Sequence, residues 1–477
     1  MTDPLDLDAV GQAEAIRRGD VTPLELVEGT IARIEKLQPV VNALTSTCFD
    51  EAIEIAKRPE TIPDGPFKGV PTLLKDIGTQ QAGLSYWAGN KALRDAGWRS
   101  PRDTHFGRRL RDAGLITLGK TSTPEFGAQP TTQPLAFGPT RNPWDTTRST
   151  SGSSGGAAAA VASGMLPMAH ANDGYGSIRD PASWCGLVGL KPSRGRITSE
   201  NATGRVGTSL VVSRTVRDTA AALDALAGAE VGEVFTISDP ARPYQDELGQ
   251  PVEPLRVGLL TTMDAEGLTV DLECVAAATN AAALLERLGH KVDPDAAPPN
   301  VVDDASVRDM TRLRAAKLAA ITLELNPAAN RPYREDEVEP YAWAVAELGR
   351  SVSMIEFVRG TERQQVWVSK IDQWFQEFDV LVTPTTGTPP LTIDEMAPPP
   401  SDPLAVMDLF QTVRGYAAPF NVTGHPAISL PLHWTASGLP VGVQLVAGMG
   451  REDLLLRLAA QLEQAQPWAE RRPDVYA

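Results

Sequence analysis

Ser151-Gly152-Ser153-Ser154-Gly155-Gly156, followed after an alanine-rich segment by Gly174-Tyr175-Gly176-Ser177-Ile178-Arg179, is the densest signal in the 477-residue chain. Glycines and serines at this density cradle a phosphate, bend a backbone or present hydroxyls to a substrate. A phosphate-binding loop needs a lysine and a hydroxyl residue directly after its glycines. Ala157 and Ala158 occupy those places, so that use fails. Gly152–Gly156 also fits the G-x-S-x-G pattern of a nucleophile elbow. The elbow needs a strand directly before it, whereas Pro143–Ser151 reads as a polar loop. It also needs a histidine downstream, and His170, His290, His425 and His433 stand in no distinctive context. A hydroxyl nucleophile can instead use a lysine that its surroundings hold neutral. Lys75 ends the apolar stretch Val70-Pro71-Thr72-Leu73-Leu74, where the competing reading is a lysine snorkelling out of a strand end.

Outward from these loops the chain alternates strand and helix. Residues 7–37 read as two helices, the second opened by Thr22 as N-cap, Pro23 at the first helical position and Glu25 as capping-box partner. Gly69–Ile77 reads as a strand entering a turn, Asp103–Ala113 as a helix and Leu115–Gly119 as a strand. Gln129–Ser154 is a long polar stretch without periodicity, a length at which loops are usually functional or disordered. Strands are expected at Pro167–Ala171, Gly186–Leu190, Leu255–Leu260, Val380–Thr383, Ala427–Leu432 and Val441–Ala447. Helices are expected at Thr215–Ala227, Asp271–Leu288 and Glu452–Gln464. This alternation predicts an α/β fold with one large sheet. Residues 303–375 stand apart as mostly helical and charged.

The composition, 42% hydrophobic and 22% charged, is that of a globular protein with ample material for a core. A net charge of −16 disfavours nucleic acid and anionic membrane as partners. Cys48, Cys185 and Cys274 are too few and too scattered for a disulfide framework or a zinc site. The acidic N-terminus has no apolar signal region, and no run approaches the ~18–20 apolar residues that span a bilayer. A cytoplasmic enzyme without cofactor or metal is expected.

Three ordered blocks carry a resemblance: Gly69-Val70-Pro71-Thr72-Leu73-Leu74-Lys75-Asp76, then Gly152–Gly156, then Gly176-Ser177-Ile178-Arg179-Asp180-Pro181 running on through Gly189-Leu190-Lys191-Pro192. Together they resemble the amidase signature family. Pro419–Pro431 and Gly438–Gln444 resemble that family's closing strands, so essentially the whole chain is covered as a single domain. The resemblance implies a large mixed, twisted β-sheet sandwiched between α-helices. Within it lie a helical N-terminal part (1–62), a catalytic core (63–200) and a helical insertion (303–375) bordering the substrate pocket.

The resemblance also implies the roles. Ser177 is the nucleophile, Ser153 the bridging serine on a cis peptide bond, and Lys75 the general base of a Ser-Ser-Lys triad working through an acyl-enzyme. Backbone N–H groups of Gly174, Tyr175, Gly176 and Ser177 form the oxyanion hole, while Ser154, Asp173 and Arg179 support the loop. Two departures stand out: Tyr175 replaces the usual first glycine before the nucleophile, and Ser151 replaces a glycine before Ser153. Thr140–Trp144, Leu432-His433-Trp434 and Gly450–Ala460 are most similar to the branch that hydrolyses the cyclic dimer of 6-aminohexanoate. The implied substrates are small apolar amides, including cyclic or linear 6-aminohexanoate oligomers, aryl amides and carbamates (urethanes). A homodimer is compatible with this reading. The alternative is the amidase subunit of a glutamine-dependent tRNA amidotransferase.

Overall fold

Thr22, Pro23 and Glu25 open the helix Pro23–Val41 as their spacing predicts. The Thr22 hydroxyl accepts the Glu25 N–H at 3.2 Å, and the Glu25 carboxylate accepts the Thr22 N–H at 2.8 Å. The helix runs one turn beyond the expected end, through Pro39. Asn42, in a left-handed conformation, then terminates it, and Gln38 Oε1 accepts the N–H groups of Ala43 and Leu44. Thr22→Ala is expected to cost about 1 kcal/mol, read as a lower urea midpoint with an unchanged m-value.

The computed structural model describes residues 3–198, 206–323 and 325–477. Eight strands form a mixed sheet in the order Lys291–Asp293, Arg256–Leu259, Val380–Pro384, Pro440–Ala447, Ala427–Trp434, Val188–Lys191, Thr208–Ser213, Met168–Asp173. The first two pairings are parallel and the other five antiparallel. The strand Thr208–Ser213, left unassigned from sequence, joins Val188–Lys191 to the edge strand Met168–Asp173. A separate three-stranded sheet, Leu44–Thr47, Ile116–Thr121, Pro71–Lys75, accompanies the large one. Its strand Pro71–Lys75 is buried throughout and packs on Met168–Asp173, where the Thr72 hydroxyl donates to Met168 O at 3.4 Å.

Two expectations are corrected. Pro143–Ser151 contains a strand, Asp145–Ser149, paired antiparallel with Arg141–Asn142. Asn142 folds the intervening turn by accepting the Trp144 N–H, and β-branched Thr146 and Thr147 suit the extended backbone. Residues Ala418–Thr423 form a short helix rather than part of a closing strand; Pro419 opens it and Gly424, at φ +89°, ends it. The remainder of Gln129–Ser154 is an irregular, largely buried segment that satisfies itself. Thr132 Oγ1 donates to Ser151 O and accepts the Gly155 N–H, and Thr131 shares a hydrogen bond with Ser149. Its Thr and Ser content is what lets a loop lie in the interior.

Directly after it, every residue of the helix Gly155–Ala162 is buried. Gly156 makes this approach feasible, since a Cβ there would run into the backbone of Ser122. The 303–375 segment holds the helices Asp304–Leu323, Pro340–Arg350 and Met354–Trp374. Among the described residues, no helix is long and apolar enough to cross a membrane.

Candidate active site

Lys75 ends its strand completely buried, facing the edge strand of the large sheet. Its Nζ lies 2.7 Å from Ser153 Oγ, 2.8 Å from Ser154 Oγ and 2.7 Å from Asn172 Oδ1. Two of these partners, Ser154 and Asn172, are oriented independently. The Ser154 hydroxyl donates onward to Asn172 O at 3.2 Å, so its oxygen faces the amine as an acceptor. Asn172 Nδ2 donates to Ile77 O at 2.8 Å, which turns Oδ1 toward the lysine. A neutral amine has two protons for these two acceptors, and its lone pair is left for the Ser153 hydroxyl. Burial drives the Lys75 ammonium well below the ordinary lysine range, against the pull of the Asp173 carboxylate. The peptide bond Gly152–Ser153 is cis.

His170, two residues before Asn172 on the same strand face, holds the Lys75 backbone. Its Nδ1 accepts the Lys75 N–H at 3.1 Å, and Nε2 lies 3.0 Å from Thr79 Oγ1. The accepting Nδ1 fixes the tautomer with the proton on Nε2. Burial and the charges of Lys120 and Lys75 keep the ring well below the usual histidine range. His290, His425 and His433 contact Gln461, Phe375 and Glu273 and do not line the cavity.

The loop carrying Ser177 is braced from beneath. Arg179 Nε and Nη2 clasp the Asp173 carboxylate at 2.9 and 3.1 Å, with both side chains fully buried. Burial works to raise the Asp173 carboxyl, but the Arg179 guanidinium and the Gly176 N–H outweigh it and leave the group well below the carboxylate range. Arg179 also donates to Gln444 Oε1 at 2.7 Å and Asn421 Oδ1 at 2.6 Å, and Asn421 Nδ2 returns a bond to Asp173 Oδ1 at 2.9 Å. Asn172, His170, Asn421 and Gln444 were not singled out from sequence.

One of the four expected oxyanion donors is already engaged. The Gly176 N–H is held by Asp173 Oδ1 at 2.6 Å, a charge-assisted bond that takes its only proton. Gly174, Tyr175 and Ser177 remain as donors without a backbone or side-chain acceptor among the described residues. The Tyr175 substitution is accommodated because positive φ falls on Gly176, at +110°, and not on the tyrosine. The Tyr175 ring packs near Met310, Ala418 and Val422. Ser151, by contrast, does adopt φ +60°. At Gly176 a Cβ would also run into the Asp180 carboxylate. Gly176→Ala is therefore expected to destabilise by on the order of 1–3 kcal/mol, read as a lower urea midpoint.

Ser153, Ser177 and the Gly174–Tyr175 backbone line one cavity of about 270 Å³. Ile77, Phe126, Leu318 and Ile321 supply its apolar wall, and Arg314, Lys317 and Arg414 also border it. Among the described residues no hydrogen bond joins Ser177 Oγ to Ser153 Oγ.

Known proteins match the chain in sequence and in fold. The model of the family described as Amidase matches residues 25–456. A 6-aminohexanoate-cyclic-dimer hydrolase of Paenarthrobacter ureafaciens is 40% identical over 98% of this chain and 96% of its own. A solved structure of 6-aminohexanoate cyclic dimer hydrolase complexed with substrate superposes with a TM-score of 0.92. It is 38% identical, and the match covers 99% of this chain and 100% of that one. A bacterial aryl acylamidase of the amidase signature family follows at TM-score 0.87 and 27% identity, with 97% of each chain covered. The chain belongs to the amidase signature family and is a hydrolase of carbon–nitrogen bonds other than peptide bonds.

Proposed function

We propose that the chain cleaves small amides through an acyl-enzyme, with Ser177 as nucleophile, Ser153 as proton bridge and Lys75 as base. The observation that carries this reading is a buried lysine whose amine, pushed toward neutrality, sits 2.7 Å from a serine hydroxyl in the cavity that Ser177 lines. Rotation of the Ser177 side chain toward Ser153 on substrate binding completes the relay, since such contacts often tighten only in the substrate complex. The Ser177 proton passes to Ser153 as the Ser153 proton passes to Lys75. Ser177 Oγ then bonds to the amide carbon. The resulting oxyanion is held by N–H groups of the Gly174–Ser177 loop, with Gly176 engaged elsewhere.

Once charged, Lys75 has three protons for Ser153, Ser154 and Asn172, the same three partners it had when neutral. The proton therefore moves without rearrangement of its surroundings. Run in reverse, the relay protonates the departing amine as the C–N bond breaks, which a poor leaving group requires. Water then releases the carboxylic acid and frees Ser177. Ser154 positions Lys75, and Asp173 with Arg179 positions the nucleophile loop.

The substrate range proposed is cyclic or linear 6-aminohexanoate oligomers, aryl amides and aryl carbamates. Its amide members follow the similarity to the cyclic-dimer hydrolases and to the aryl acylamidase. The test is amine release from the 6-aminohexanoate cyclic dimer, its linear dimer, an aryl amide, an aryl carbamate and glutamine. Release from any of the first four supports a stand-alone hydrolase. Release from glutamine alone transfers the assignment to an amidotransferase subunit, and no release from any of them overturns the proposed range.

A further inference from the structure

The cavity carries more positive charge than hydrolysis of a neutral amide needs. In a chain of net charge −16, the helix Asp304–Leu323 turns Arg314 and Lys317, one helical turn apart, to the same cavity wall. Arg414, from the helix Met407–Arg414, borders the same cavity. Among the described residues none of the three forms an ion pair. Arg314 is held in place by donating to Ala128 O at 2.7 Å and, more weakly, toward the Tyr341 hydroxyl at 3.4 Å. Arg414 is 5% exposed; its Nε donates to Phe410 O at 3.0 Å, and its Nη2 is buried without a hydrogen-bond partner.

Asp180, in the helix Arg179–Cys185, forms no ion pair with this group. It is buried with both carboxyl oxygens unpartnered, and burial together with the Asp173 charge pushes it well above the usual carboxylate range, against the pull of the Arg179 and Arg414 guanidiniums. Burial and the Arg314 charge draw the Arg414 guanidinium down to about 9, still charged at neutral pH, and burial also lowers Lys317. Cations gathered beside an unpartnered donor cost free energy unless an anion meets them. Tyr175, the residue that departs from the family pattern, lies in the field of Arg314 and Arg414.

We propose that Arg314, Lys317 and Arg414 form a carboxylate-binding subsite, so that the preferred substrates are open-chain amides bearing a carboxylate on one arm. The inference rests on the assignment of this cavity as the substrate site. It divides the proposed range, because an ω-(acylamino)alkanoate satisfies the cations and a neutral cyclic amide does not. Guanidinium and ammonium groups match a carboxylate through charge-assisted hydrogen bonds.

The test is binding, measured by calorimetry on the Ser177→Ala protein with two probes that differ in one group: 6-acetamidohexanoate and 6-acetamidohexan-1-ol. The carboxylate is expected to bind at least about tenfold more tightly, the scale of one hydrogen bond to a charged group. Lys317→Gln is expected to shrink that ratio several-fold and Lys317→Arg to retain it, with thermal midpoints confirming that each variant is folded. Should Lys317→Gln fail to fold, Arg314→Gln takes its place. Equal affinities, tighter binding of the alcohol, or no binding of the carboxylate would overturn the inference. Because the readout is binding, it is separate from the nucleophile assignment, which fails only if Ser177→Ala protein still turns over amides.

Discussion

Ser177→Ala protein releases no amine above background from any substrate that the parent protein hydrolyses, while its thermal midpoint stays within a degree or two. The expected loss in kcat is on the order of 10⁵- to 10⁶-fold, as for other hydroxyl nucleophiles that work as one unit with their base. The fold should be indifferent because the loop is fixed by other atoms. Asp173 holds the N–H groups of Gly176 and Ile178, and Arg179 ties Asp173 to Asn421 and Gln444. Ser177 Oγ has no part in that network. A mass shift on Ser177 after quenching a reaction with a slow aryl carbamate would show the acyl-enzyme directly. Substantial turnover by the alanine variant would exclude Ser177 as nucleophile, and Ser153, whose hydroxyl lies 2.7 Å from Lys75 Nζ and which lines the same cavity, would become the alternative to test next.

What could be read from the sequence, and what could not, divides along physical lines. Boundaries set by local chemistry were legible. Thr22-Pro23-Leu24-Glu25 starts a helix by capping alone, and the apolar runs around Leu73, Leu381 and Val443 became buried strands. The polar stretch before Ser153 reads as wholly irregular because its hairpin is stabilised by Asn142 and Trp144 contacts rather than by periodicity. At the site, the glycine-flanked serines stand out as residues, whereas Lys75, which by position alone reads as a lysine snorkelling out of a strand end, is singled out by the family resemblance of its block. Asn172 and His170 did carry a signal: polar residues two apart in the otherwise apolar Met168–Asn172 segment point to one face of a buried strand, and that face meets Lys75. Asn421 and Gln444 carried none. They lie 242 and 265 residues from Arg179, and only the assembled sheet brings them to it.

The Lys75 assignment makes the second large prediction, and its sign follows from the environment. A base must be unprotonated, so kcat/KM should fall tenfold per pH unit as the pH drops through the Lys75 pKa. Were that pKa at the ordinary lysine value, only about one molecule in 10³ would be competent at neutral pH. Burial lowers it well below 10.5, so the acid limb should lie well below the lysine range. Lys75→Ala is expected to lower kcat/KM by about 10²- to 10⁴-fold, the usual weight of general base catalysis, and to remove the limb from whatever activity remains. Lys75→Arg is the more telling variant, because it keeps charge and hydrogen-bond donors but cannot give up a proton. It should be as inactive as alanine; partial rescue would mean that Lys75 acts as a fixed cation and not as a base. The neighbouring Asp76 needs its own control, since burial raises its carboxyl to about 6 and it could impose an acid limb of its own. If Asp76→Asn retains the limb and Lys75→Ala loses it, the titration belongs to the lysine; the reverse pattern would assign the limb to Asp76 and leave Lys75 without evidence of acting as the base.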